Sequence, residues 1–210
     1  MNSSDKGTNS NTLVEEPLTV PTDIEIMELF SNGLRQTPQN VALTLDKDNG
    51  YMSERIGELK DREYICGVSP SGERGVMVVI SDLGKIVAAQ IHKYNRSNHA
   101  QFDAICRQLL CASEETADGL RISLTLSDKL YSCLEYCAGH EGLVIASTLT
   151  ECIESKMGDS PTRGRVDELL YELFLYGLLE QKDNMPVYEL TDKGRDVVST
   201  GREQIEISVR

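Results

Sequence analysis

Tryptophan is absent, and aromatic residues make up only 5% of the 210-residue chain. Its core must therefore be built mainly from aliphatic side chains. Histidine is scarce, at three copies, and His92 and His99 have no evident Asp or Ser partner that would build a proton relay. Basic residues are outnumbered, 21 against 34 acidic ones, for a net charge of -13. The deficit has no basic exception along the chain. Residues 1–80 hold 13 acids and 7 bases, 81–125 hold 5 and 5, and 126–210 hold 16 and 9. A domain-wide positive field for nucleic acid is excluded, so any DNA contact must rest on a local patch. A surface adapted to a salt-rich cytoplasm would also be acidic, and there screening makes net charge a weak guide to partners. No apolar run approaches the roughly 20 residues of a membrane span. The opening run MNSSDKGTNSNT carries no apolar leader segment. The six cysteines include no Cys-x-x-Cys pair, so they read as reduced, packed thiols of a cytoplasmic protein. Walker loop, dinucleotide fingerprint, nucleophile elbow and metalloprotease motif are all missing, and no enzyme activity, cofactor or membrane partner is expected.

What is present is a globular composition, 40% hydrophobic and 26% charged, with a repeated plan. Residues 1–20 are rich in Ser, Asn and Thr and are expected as a disordered tail. Thr22 and Asp23 can cap a helix that carries Ile24, Met27, Leu29 and Phe30 and ends near Gly33. Thr37-Pro38 opens a second helix, with Thr37 as cap and proline where its missing N–H costs nothing. A turn over 46–50 follows, and a third helix from about Tyr51 keeps Met52, Ile56 and Leu59 on one face. Two strand-like runs, 65–69 and 76–80, flank a loop over 70–75. Helix, helix, turn, helix, strand, loop, strand is the plan of a winged helix.

The second half repeats it. Residues 50–65, GYMSERIGELKDREYI, align without gaps on residues 164–179, GRVDELLYELFLYGLL, with identities at 50/164, 54/168, 58/172 and 59/173. Downstream, ISDLGK at 80–85 matches LTDKGR at 190–195, and the loop between is four residues shorter in the second copy. Two blocks in the same order, with the gap in a loop, point to a tandem duplication. Between them, 82–94 and 98–112 have helical spacing, Leu120, Ile122, Leu124 and Leu126 alternate as in a strand, and Ser127 can cap a following helix. The expected fold is mainly α with small β-wings (α+β): a tail at 1–20, a first module at 21–90, a helical connector or dimerisation segment at 91–126, a second module at 127–200 and a tail at 201–210.

The run TPQNVALTLDKDNGYMSERIGELKDREYICGV, followed by VVISDLGK, resembles the winged helix-turn-helix regulators of archaea related to the phage phi-H repressor. The resemblance covers about residues 22–90 and is carried by Thr37, Pro38, Tyr51, Met52, Ser53, Arg55, Ile56, Leu59, Ile65, Ser81 and Gly84. Glu63 departs from it, because that family usually has glycine at the helix exit. The resemblance implies a transcriptional regulator that binds double-stranded DNA, and a homodimer is expected. In a helix-turn-helix the third helix enters the major groove. With Met52, Ile56 and Leu59 inward, the expected DNA-binding residues are Thr37, Tyr51, Ser53, Glu54, Arg55, Lys60, Arg62 and, at the wing tip, Arg74. Arg55 can pair with guanine, Glu54 can accept from cytosine, and Tyr51 and Ser53 suit phosphates.

The third helix of the second module is apolar nearly all round, which implies burial on more than one side. Leu169, Phe174, Leu175 and Tyr176 are its expected interaction surface, toward the connector, the first module or a second subunit. Arg163 and Arg165 are candidates for a second DNA contact. Cys133, Cys137 and His140 share one helix face, but their spacing fits no usual zinc module, and no metal is assigned. A rival reading is a non-catalytic adaptor of the chromosome-condensation accessory type, for which acidic tandem winged helices are suited. A positive strip along Tyr51–Arg62 would favour DNA; negative potential there would favour the adaptor.

Overall fold

Thr37 and Ser127 cap helices where the sequence places them, whereas the helix over 22–30 has Pro21 at its cap position and no side-chain cap, so the capping expected of Thr22 and Asp23 is corrected. A computed structural model of the chain describes residues 16–68, 77–140, 142–150, 162–182, 185–201 and 204–209. Helix α1 (Thr22–Phe30) buries Ile26, Met27 and Phe30, and α2 (Pro38–Thr44) starts at Thr37, whose hydroxyl accepts from the Asn40 amide at 3.2 Å. Helix α3 (Asn49–Asp61) starts two residues earlier than the sequence suggests, because Asp48 caps it by accepting from the Tyr51 amide at 2.9 Å. Strands β1 (Ile65–Val68) and β2 (Met77–Ile80) pair antiparallel, Ile65 opposite Ile80, and α4 (Asp82–Gln90) follows. Two single turns, Ile91–Lys93 and Arg96–Asn98, lead to α5 (His99–Cys111) and the hairpin β3 (Ser113–Thr116) and β4 (Gly119–Thr125). Then come α6 (Asp128–Gly139), β5 (Val144–Ile145), α7 (146–150 within the described residues) and α8 (Arg163–Leu175). Strands β6 (Leu179–Gln181) and β7 (Val187–Leu190), α9 (Asp192–Thr200) and β8 (Gln204–Val209) complete a mixed α/β chain with small antiparallel sheets.

The two halves use one lock. In the first, Ser81 donates toward the carbonyls of Glu63 (2.5 Å) and Tyr64 (3.0 Å) and accepts from the Gly84 amide. In the second, Thr191 donates toward Gly177 (2.9 Å) and Leu178 (3.0 Å) and accepts from Gly194. A β-carbon on Gly84 would stand 2.0 Å from the Tyr64 carbonyl oxygen, and one on Gly194 2.3 Å from that of Leu178. Only glycine lets the helix come so close to the strand entry. The preceding residue has positive φ in both copies, +65° at Glu63 and +73° at Gly177. A strand after the first helix pairs with the hairpin in each half. It is β5, in the order β5-β7-β6, in the second, and a single bridge from Gln36 to Val78 in the first.

The connector binds the halves together. Tyr64 of the first half donates to Asp103 on α5 (2.5 Å), and Arg107 joins Asp103, Glu63 and the Arg62 carbonyl. On the other side Gln101 donates to the Glu168 carbonyl (2.8 Å), and Tyr171 donates to the Lys93 carbonyl (3.1 Å). Two tail boundaries are corrected. Residues 204–209 are β8, which pairs along β4 from Leu120↔Val209 to Thr125↔Gln204. That pairing buries Ile205 and Val209 in the core, so the apolar alternation of 205, 207 and 209 belongs to a strand. At the other end Leu18 is buried, and its amide donates to the Tyr94 hydroxyl at 2.8 Å. Among the described residues no helix is long and apolar enough to cross a membrane.

Candidate nucleic-acid interface

Helix α3 stands with Met52, Ile56 and Leu59 in the core and a polar face outward. On that face Tyr51, Ser53, Glu54 and Lys60 are exposed. Asp48 satisfies an amide at the helix start, and the remaining first-turn amides give it a partial positive end. Ser53 donates back to the Asn49 carbonyl at 2.8 Å, and the Tyr51 hydroxyl lies 3.4 Å from Thr22 Oγ1. Thr37, the cap of α2, is half-buried. Glycines at 50 and 57 keep the face low, and a β-carbon at Gly57 would meet nothing within 4 Å. The sequence-predicted face is therefore open over Tyr51, Ser53, Glu54 and Lys60.

Arg55 departs from expectation. It is only 7% exposed, and its guanidinium forms a two-pronged pair with Asp23 on α1, Nε to Oδ1 at 3.0 Å and Nη2 to Oδ2 at 2.6 Å. The remaining Nη1 meets Glu58 at 2.5 Å. Hydrogen bonding to Asp23 outweighs burial and holds the guanidinium charge more firmly than usual. Asp23 is fully buried and also accepts from the Thr19 amide at 2.7 Å. A buried carboxylate needs a cation, and Arg55 supplies it. Its outward assignment as a base reader is thus corrected: it ties α3 to α1. The missed partner was legible only as a helix-cap residue, because a sequence does not reveal which cation crosses to it. Arg62 is corrected likewise. It is 9% exposed, and its Nη2 donates to the Glu16 carbonyl. Arg74 lies outside the described residues.

With both arginines turned inward, the exposed cations of this region are Arg35, Lys47 and Lys60. Asp46, Asp48, Glu54 and Asp61 are exposed beside them, with Glu58 half-buried against Arg55. The strip is not positive.

Helix α8 occupies the same place in the second half, with an exposed start and closed last turns. Leu169, Leu175 and Tyr176 are buried and Phe174 is 9% exposed, all within the chain itself. The connector, one of the partners expected for this surface, meets it through Lys93. Lys93 lies beneath, its Nζ donating to the carbonyls of Phe174 (3.0 Å) and Leu175 (3.2 Å) and sitting 5.3 Å from the Phe174 ring centre. Burial, with Lys193 nearby, lowers the Lys93 pKa to about 8. Arg163 and Arg165 at the start of α8 are exposed, Arg165 paired with Glu168 at 2.6 Å.

No protein-family model and no curated protein matches the chain.

In α6, Cys133 and Cys137 are buried one turn apart, and their hydrogen bond together with burial pushes the Cys133 thiol far up, which makes it inert. His140 is exposed, with Nδ1 3.0 Å from the Tyr136 carbonyl oxygen. Among the described residues no three His, Cys, Asp or Glu side chains gather as a metal site requires.

Proposed function

We propose that the chain is a DNA-binding regulator whose first half acts as a winged helix with α3 as the recognition helix. The observation that carries this reading is the open outer face of α3, Tyr51, Ser53, Glu54, Gly57 and Lys60, on a helix whose opposite face is packed, whereas the last turns of its equivalent, α8, are covered. A rigidly seated helix with one free polar face is what a major groove admits. In this reading Arg55 sets the pitch of α3 through Asp23, and Lys60, Lys47 and Arg35 meet phosphates. With α3 as the reader, a two-fold symmetric site needs two copies.

The test is selection of duplexes from a random pool by the full chain at several salt concentrations. Binding of two copies should fall by about 150- to 1,800-fold for a four-fold rise in salt, because two or three phosphate contacts on each release four to six counterions in all. Lys60→Glu should weaken binding to all sequences alike while leaving thermal unfolding unchanged. The acidity around α3 favours a second reading, an adaptor that docks a basic protein partner there. Recovery of no duplex at any salt, with the protein folded, would reject the DNA reading in its favour.

A further inference from the structure

We infer that Glu54 is the base-reading side chain of α3 and that its target is the amino group of cytosine in a C·G pair; the inference rests on the DNA-binding reading above. The charged groups of α3 divide cleanly. Arg55 is held by Asp23 and Glu58, and Glu58 is in turn held by Arg55. Lys60 and Asp61 lie in the last turn, away from the N-terminal half that reaches base edges. Glu54 alone is left in that half as an exposed charged side chain, and among the described residues it has no hydrogen bond or ion pair.

Its neighbours clear the way. Residues three and four away share a helix face, and around Glu54 these are Tyr51, Glu58, which is turned to Arg55, and the two glycines Gly50 and Gly57. The carboxylate therefore stands proud of a low surface that can approach the floor of a groove. The polar groups beside it are less available as donors: the Ser53 hydroxyl proton goes to the Asn49 carbonyl and that of Tyr51 faces Thr22. A carboxylate can only accept. In the major groove guanine offers two acceptors to it, and adenine sets an acceptor next to its donor, whereas cytosine offers its N4 amino group. The second half supplies a contrast. Glu168, at the position matching Glu54, is paired with Arg165 at 2.6 Å, and Gln101 of the connector binds its backbone carbonyl at 2.8 Å. The same residue is engaged there and free here.

The test uses duplex selection with the full-length chain, Glu54→Ala and Glu54→Gln, each checked for unchanged thermal unfolding. Wild type should select a fixed C·G pair in each half-site, and replacing it by T·A should weaken binding about 5- to 150-fold. Glu54→Ala should lose discrimination at that pair alone, and Glu54→Gln should shift it toward adenine. If both variants select the wild-type sequence with undiminished discrimination, Glu54 does not read bases although the DNA-binding reading stands. If wild type selects no duplex at all, that underlying reading falls, and this inference with it.

Discussion

Helices α3 and α8 hold the same place in the two halves and align without a gap, yet the last turns of one face outward and those of the other are sealed inside. Their inward positions are alike: Met52, Ile56 and Leu59 match Val166, Leu170 and Leu173, all buried. The difference lies in the last turns. Gly57, Lys60 and Asp61 on α3 correspond to Tyr171, Phe174 and Leu175 on α8. The first set leaves a low polar surface; the second supplies an apolar one that α5 and the turn before it cover. Arg55 likewise corresponds to Leu169. One half fastens its third helix to its first with a buried ion pair; at the matching position of the other stands a buried leucine. The two halves thus keep a common interior pattern while a few outward positions decide whether the end of the helix is open or covered.

The largest expected effect tests whether the halves share one lock. Gly84→Ala and Gly194→Ala each force a β-carbon against a carbonyl oxygen, and each should lower stability by about 3 kcal/mol or more in urea unfolding. Tolerance of either one would separate the halves. Next, Asp23→Ala should lose about 3 kcal/mol, because it strands a buried guanidinium. The double change Asp23→Leu with Arg55→Leu replaces the ion pair with apolar side chains, and it should recover most of that loss. Failure to recover would mean that the ion pair sets a geometry leucine cannot.

A pH series sharpens the contrast at the helix ends. The α3 exit carbonyl of Arg62 meets Arg107, which stays charged, whereas the α8 exit meets Lys93, with a folded pKa of about 8 against 10.5 in the unfolded chain. Above pH 8 the folded protein sheds a proton that the unfolded chain retains to about 10.5, so stability from this group rises across that window. The difference in unfolding free energy between wild type and Lys93→Met should therefore grow from pH 8 to 10.5, while that between wild type and Arg107→Met should stay flat. The smallest effect concerns the exits themselves. Glu63 holds φ at +65° where Gly177 holds +73°. Relief of the left-handed strain should make Glu63→Gly more stable by about 0.5–1 kcal/mol, because its half-exposed pair with Arg107 contributes little. A loss on thermal unfolding would show that the pair outweighs the strain.

Much of this was legible in the residues alone. Thr37, Ser81, Ser127 and Thr191 cap helices through contacts three residues away, and periodic apolar positions name the buried face of α3. The repeat across 50–65 and 164–179 could be read for the same reason: it is a pattern of neighbours. Lys60, Tyr51, Ser53 and Glu54 were placed outward correctly. Arg55 and Arg62 were not, since a long cation on a helix face turns inward only if a distant group meets it, and Asp23 and the Glu16 carbonyl lie 32 and 46 residues away.

The sequence by itself determined the caps, the helix faces, the glycines of the two locks and the doubling of the plan, all of which follow from interactions within a few residues. Tertiary structure alone decided that β8 completes the sheet begun by β4, that α5 closes over α8, and that Arg55 serves Asp23 rather than a ligand. Those outcomes depend on which surfaces meet after the chain has folded back on itself. The free energy of a buried charge or an apolar helix face is set by what lies across from it.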